Sequence, residues 1–150
     1  MTKYSLDIEL STEFELLGIS TYLPDYRLTW LINTMFGLHL KRQLDIVIDN
    51  HQAFDSNDLF GAVAENQTFA TYSYSNEDNS EDVQLIANRF NGNVLLKRFP
   101  KTDYFLKIDS SDHCLFDYHS KLIRHEHVQS IEEIDMESME KDLDIFYTNE

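Results

Sequence analysis

Cysteine is nearly missing from this chain of 150 residues. Cys114 is the only one, so no internal disulfide can form, and a lone thiol suits a reducing compartment. Proline and glycine are scarce too, at two and four residues, and no stretch rich in either marks a linker between modules. No apolar run approaches the roughly 18 residues that cross a bilayer, which excludes a membrane-spanning helix. The first residues, Met1 to Asp7, alternate polar and apolar side chains instead of building the apolar stretch of a secretory signal. The expectation is one cytoplasmic domain over residues 1–150, long enough to bury a core without a structural metal.

Positive charge is the next shortage. Twelve Lys and Arg stand against 27 Asp and Glu, a formal charge of −15, and such a field repels phosphate backbones and anionic membranes. Neither nucleic acid nor a membrane is therefore expected as a partner. Phe69, Tyr72 and Tyr74, with Lys97, Arg98, Lys101 and Lys107, do resemble an aromatic and basic surface for single strands. Phe69 and Tyr72, however, fall on opposite sides of their strand, so one of those sides must be core. The acidity reads as a solvated surface, or as the complement of a basic protein.

What the chain has in quantity is alternation. Tyr4, Leu6, Ile8 and Leu10 alternate with polar residues and predict a strand, while Phe14, Leu16, Leu17 and Ile19 predict a short helix or an irregular approach to the next element. From Pro24 the positions Leu28, Leu31, Ile32, Met35 and Phe36 recur at three and four, a helical stripe that Gly37 ends. Leu38 to Ile48 reads as a strand, and 50–66 as a loop. Further strands are predicted at Thr68–Ser75, Val83–Phe90 and Val94–Arg98, the last two joined by the hairpin signal Asn91-Gly92. Tyr104, Leu106 and Ile108 alternate with Phe105 in a strand apolar on both faces, which places it near the sheet centre. Leu115, Tyr118 and Leu122 predict a second helix, Val128–Ile134 an edge strand, and 135–150 an acidic tail with broken helical spacing. The fold class is α+β: a twisted, mainly antiparallel sheet of about six strands, with two main helices packed on one face.

Chemistry is harder to find. Asp112, His113, Cys114, Asp117, His119, His125 and His127 supply zinc-ligand types. On a helix only His113 and Asp117 share a face, so no metal site is expected. His113 beside Cys114 invites a thiol nucleophile, but sequence neighbours on a helix do not face each other. A phosphate loop, a dinucleotide fingerprint, a nucleophile elbow and a His-Glu-x-x-His helix are all lacking. The expectation is no catalytic residue, no cofactor, and a non-enzymatic interaction module with a protein partner.

Three stretches carry a family likeness. They are Phe14 to Ser20; Asp25-Tyr26-Arg27-Leu28 with Trp30, Leu31, Asn33 and Gly37-Leu38; and Thr102-Asp103-Tyr104. Over nearly its full length the chain resembles the IPExxxVDY family, short cytosolic proteins of Bacteroidetes. Thr102-Asp103-Tyr104 matches the second triplet of the naming motif, while Leu96-Lys97-Arg98 stands where its Ile-Pro-Glu would be. The resemblance implies a cytosolic bacterial protein and transfers no catalytic residue. It directs attention to Asp25, Tyr26 and Arg27 at the start of the main helix and to Asp103 and Tyr104 at the start of a strand. These five are the candidate binding residues. The alternative function is a small-molecule pocket near Arg27 and Asp103, and the plainer reading makes Arg27 an ion-pair partner of Asp25 or Asp103, and Tyr104 a core aromatic.

Overall fold

A computed structural model of the chain describes residues 14–48, 67–78, 81–109 and 115–135. The expected strand Tyr4–Leu10, the loop 50–66, the acidic tail beyond Asp135, and Asp112, His113 and Cys114 all lie outside these residues. In chain order the elements are β1 (Glu15–Thr21), α1 (Asp25–Phe36), β2 (Lys41–Arg42), β3 (Ile46–Ile48), β4 (Gln67–Phe69) and β5 (Thr71–Asn76). They continue with β6 (Glu81–Ala87), β7 (Arg89–Phe90), β8 (Asn93–Val94), β9 (Tyr104–Asp109), α2 (Leu115–Leu122) and β10 (Val128–Glu133). The protein is α+β. Six antiparallel strands in the order β10-β1-β9-β6-β5-β2 make the main sheet, and β3–β4 and β7–β8 are separate pairs.

The segment Phe14–Ile19 is not the short helix that its apolar spacing predicts. It enters β1, where Leu17 stands opposite Leu106 of β9 on one side and Glu133 of β10 on the other. Leu17 and Ile19 enter one core cluster, Phe14 and Leu16 the other. A strand covered on both faces loses its polar alternation, and such a short apolar run cannot be told from a helix by period alone.

The main helix α1 behaves as its sequence predicts. Pro24 precedes it with φ −69°, Gly37 follows it in the left-handed region at φ +66°, and Leu38 donates its N–H to the Asn33 carbonyl at 3.1 Å. Glycine takes that conformation without the clash a Cβ would bring. Leu28, Leu31, Ile32 and Phe36 are buried along one side.

Four further strand predictions need correction, three of them where the chain passes between strand pairs. Leu38–Ile48 is not continuous: β2 belongs to the main sheet and β3 pairs with β4. Before β2, Asn33 grips the Leu40 backbone, accepting its N–H at 2.8 Å and donating to its carbonyl at 3.4 Å. Thr68–Ser75 breaks at Ala70 into β4 and β5, and Val83–Phe90 breaks at Asn88 into β6 and β7. Val94–Arg98 is a strand only at its first residue, because Phe99 and Thr102 close successive turns onto Leu96 and Phe99. The β7–β8 hairpin turns on Asn91 (φ 49°) and Gly92 (φ +83°), the pair of positive angles that a type I′ turn needs.

Two apolar clusters flank the sheet. Leu17 and Ile19 of β1, Val83 and Leu85 of β6, and Leu106 and Ile108 of β9 join the buried side chains of α1 and Tyr118 and Leu122 of α2. The alternate residues Leu16, Ile86 and Phe105 join Ile46, Phe69, Leu95 and Leu96 in the second cluster. Successive strand residues point to opposite faces, so the second cluster covers the other side of the sheet. As expected, among the described residues β9 is central and β10 is an edge.

Candidate functional site

Asp25 opens α1 and holds one corner of the molecule together. Its Oδ1 accepts the Tyr26 N–H at 2.9 Å, its Oδ2 accepts the Tyr72 hydroxyl at 3.0 Å, and Arg42 Nη1 lies 3.9 Å from that same oxygen. Arg42 in turn donates to Asp45 Oδ1 at 2.7 Å and lies 5.5 Å from the centre of the Tyr72 ring. The hydrogen bond to Asp45 raises the Arg42 pKa against a smaller opposing effect of burial, and burial, followed by Asp25, raises that of Tyr72.

Asp103 and Tyr104 sit at the other side of this corner. Asp103 Oδ2 accepts the Thr21 N–H at 2.8 Å, and its Oδ1 accepts Arg89 Nε. Arg89 also donates from Nη2 to the Pro100 carbonyl at 2.6 Å. The Tyr104 hydroxyl donates to the Leu23 carbonyl at 2.7 Å. These bonds tie the chain entering α1 to the start of β9, so Asp103 and Tyr104 position backbone. The ion-pair partner of Asp103 is Arg89 and not Arg27, whose side chain stands exposed on α1.

Between these groups lies an open cleft of about 370 Å³, lined by Pro24, Asp25, Arg42, Asp45, Arg89 and Tyr104. Ala70 and Ala87 line it too, and their single methyl groups leave the room. Of the five candidate residues, the cleft therefore gathers Asp25 and Tyr104, while Tyr26, Arg27 and Asp103 do not line it. Arg42, Tyr72 and Arg89 were not among the candidates. No spacing rule could have found them, since Tyr72 is 47 positions from Asp25.

Tyr26 and Arg27 belong instead to the outer side of α1. Tyr26 is 63% exposed and Trp30, one turn on, is 67% exposed; Tyr22, in the turn entering the helix, is 66% exposed. Tyr22 rests on His127, its hydroxyl 2.9 Å from Nδ1.

Of the histidine cluster, the structure describes Asp117, His119, His125 and His127. His119 Nδ1 lies 2.9 Å from Glu133 Oε2, and the His125 and His127 rings stand 5.3 Å apart. Among the described residues no group of three or more His, Cys, Asp and Glu side chains could hold an ion, and no described helix is long and apolar enough to cross a membrane. No protein-family model matches the chain, and no curated protein or solved structure is detectably similar to it.

Two tyrosines give the protein a pH response. Burial first, then the charges of Asp25 and Asp103, pushes the Tyr104 hydroxyl far above the ordinary phenol range. Burial, then Glu81 and Asp117, does the same for Tyr118. The folded values lie above the unfolded value of about 10, so the stability from keeping both phenols neutral is complete below that pH and lost as pH rises beyond it. Folding stability measured by urea unfolding is expected to fall by on the order of 3 kcal/mol per pH unit above roughly pH 11 for the two groups together. Tyr104→Phe should halve that slope, and an unchanged slope would assign the alkaline loss elsewhere.

Proposed function

We propose that the chain is a non-enzymatic interaction module that docks another protein on the outer side of α1. In this reading both helices pack on one face of the sheet, and α1 turns Tyr26, Arg27 and Trp30 away from it. The observation that carries the reading is this exposed trio. Tryptophan, tyrosine and arginine are the residues most enriched among interface hot spots, and here the chain's single tryptophan is left in solvent while the helix buries its aliphatic side. A lone exposed aromatic is ordinary, whereas two placed one turn apart beside an arginine form a surface. The cytoplasm is the inferred setting, and the net charge of −15 disfavours nucleic acid as the partner. Membership of the IPExxxVDY family belongs to the same proposal and adds only its cytosolic setting.

Changing Tyr26 and Trp30 to alanine should shift folding stability by no more than about 0.5 kcal/mol each, as for surface sites. A photo-crosslinking residue at position 30 is expected to give one defined protein adduct in the source cells, and the same residue at Asp78 is expected to give none. Identical adducts from both positions, or no adduct from position 30, would sink the reading.

The cleft at Asp25 and Tyr104 favours a second reading, a small-molecule site close to where the sequence placed one. Its volume of about 370 Å³ lies within the range of known ligand sites, and Arg42 and Arg89 keep N–H groups beyond those bound to Asp45, Asp103 and Pro100. Ala87→Leu would fill it. A metabolite that raises the melting temperature of the parent protein but not of this variant would establish the site. Equal shifts in both proteins would remove it.

A further inference from the structure

The two ends of the main sheet are finished differently. At one end β2 contributes two residues, both cationic, Lys41 and Arg42, and just before them Asn33 holds the Leu40 backbone. A short, positively charged terminal strand is a standard protection against unwanted pairing. At the other end β10 runs for six residues and pairs only with β1, so among the described residues its outer edge carries no strand.

The register shows which backbone groups that edge presents. Pairing with β1 is continuous from Ser130 to Glu133, and Ile134 donates its N–H to the Leu16 carbonyl at 3.0 Å. Antiparallel hydrogen bonding alternates along a strand. Ser130 and Glu132, in phase with Ile134, therefore spend their N–H and C=O groups on β1, while Ile131 and Glu133 turn theirs outward. The irregularity between Ser20 and Thr21 is confined to the start of β10 and leaves this stretch straight.

We propose that the outer edge of β10 is a strand-addition site for an extended, basic segment of a partner protein. Backbone groups of Ile131 and Glu133 supply the pairing, and charge selects the occupant. Gln129, Ser130, Glu132 and Glu133 are exposed, and Glu126 precedes them in the chain. The side chains of Glu132 and Glu133 alternate between the two sheet faces, and although Glu133 Oε2 already lies 2.9 Å from His119 Nδ1, lysine or arginine on a seventh strand meets a carboxylate on either side. A second copy of this chain is disfavoured at the same place, because it would bring glutamates against glutamates and a charge of −15 against its equal. The proposal shares with the α1 reading only the expectation of a protein partner, since none of its residues lies on α1.

The test uses the full chain and two labelled octapeptides, one alternating lysine with valine and one alternating glutamate with valine. At physiological ionic strength the lysine peptide is expected to bind, and hydrogen exchange of the Ile131 and Glu133 amides to slow on binding. Glu133→Pro removes an outward N–H without touching a bond to β1, together with the carboxylate beside His119, and should weaken binding by about tenfold or more against Glu133→Gln, which loses the carboxylate alone. Should the lysine peptide bind without slowing exchange at those two amides, it is held by the acidic surface alone and the proposal fails. It fails equally if that peptide does not bind, or if the glutamate peptide binds as well. Exchange on the unaltered protein decides the matter even if the proline variant is unstable. None of these failures touches cross-linking at position 30.

Discussion

Phe105→Ala should cost about 4 kcal/mol of folding stability, a large fraction of the roughly 5–15 kcal/mol that a domain possesses. Phe105 is 0% exposed as the second residue of the central strand β9, with Gly18 of β1 on one side and Ile86 of β6 on the other. Its ring meets Phe99 edge-on at 5.8 Å. The cost of a vacated core site depends on how far its neighbours can collapse into it, and here one flank is a glycine with nothing to move. Gly18 is itself hemmed in, since a Cβ on it would come within 3.2 Å of Thr102 Cγ2. Denaturant titration of the purified variant would measure the loss, and a value below about 2 kcal/mol would show that the second cluster repacks.

Asn88→Ala is expected to cost about 3 kcal/mol, although it removes no apolar surface worth counting. Asn88 is 0% exposed, and its side-chain amide donates to the carbonyls of Phe99 and Thr102 at 3.0 and 2.8 Å and accepts the Leu96 N–H at 2.9 Å. Alanine leaves the Leu96 N–H and the Thr102 carbonyl without this partner, and the Phe99 carbonyl with the Thr102 N–H alone, and each buried orphan costs roughly 1–3 kcal/mol unless water enters. Asn88→Asp separates this account from simple packing. It keeps the shape but sets a carboxylate against two carbonyls, so it should be at least as damaging as alanine near neutral pH. A tolerated aspartate would show that the loop from Leu95 to Thr102 is held by something else.

These two residues also mark where reading the sequence succeeded and where it stopped. The limits of α1 were legible because Pro24 and Gly37 act through local backbone geometry that any sequence displays. The centrality of β9 was legible because Phe105 interrupts the expected polar positions. Asn88 was not. In sequence it is one polar residue inside an apolar run, and its role exists only because the chain returns through Leu96, Phe99 and Thr102. Ala70 hides its break in the same way. At the corner of α1, Asp25 and Tyr104 drew attention because of where they stand in the chain. Their partners Arg42, Tyr72 and Leu23 depend on strand order, which no local pattern records. Asp103 illustrates the difference most sharply, since the sequence suggested Arg27 as its partner and the fold supplies Arg89.

The place of β1 has a consequence for synthesis on the ribosome. Both strands that flank it, β9 and β10, come from the far end of the chain, with Leu17 facing Leu106 and Glu133. While the polypeptide is being made, the hairpin of β5 and β6 can close early, but the apolar segment from Phe14 to Ile19 must wait until nearly everything else has emerged. Contacts so distant in sequence form slowly, and a nascent chain that holds a sticky segment open in the meantime is the kind that chaperones recognise.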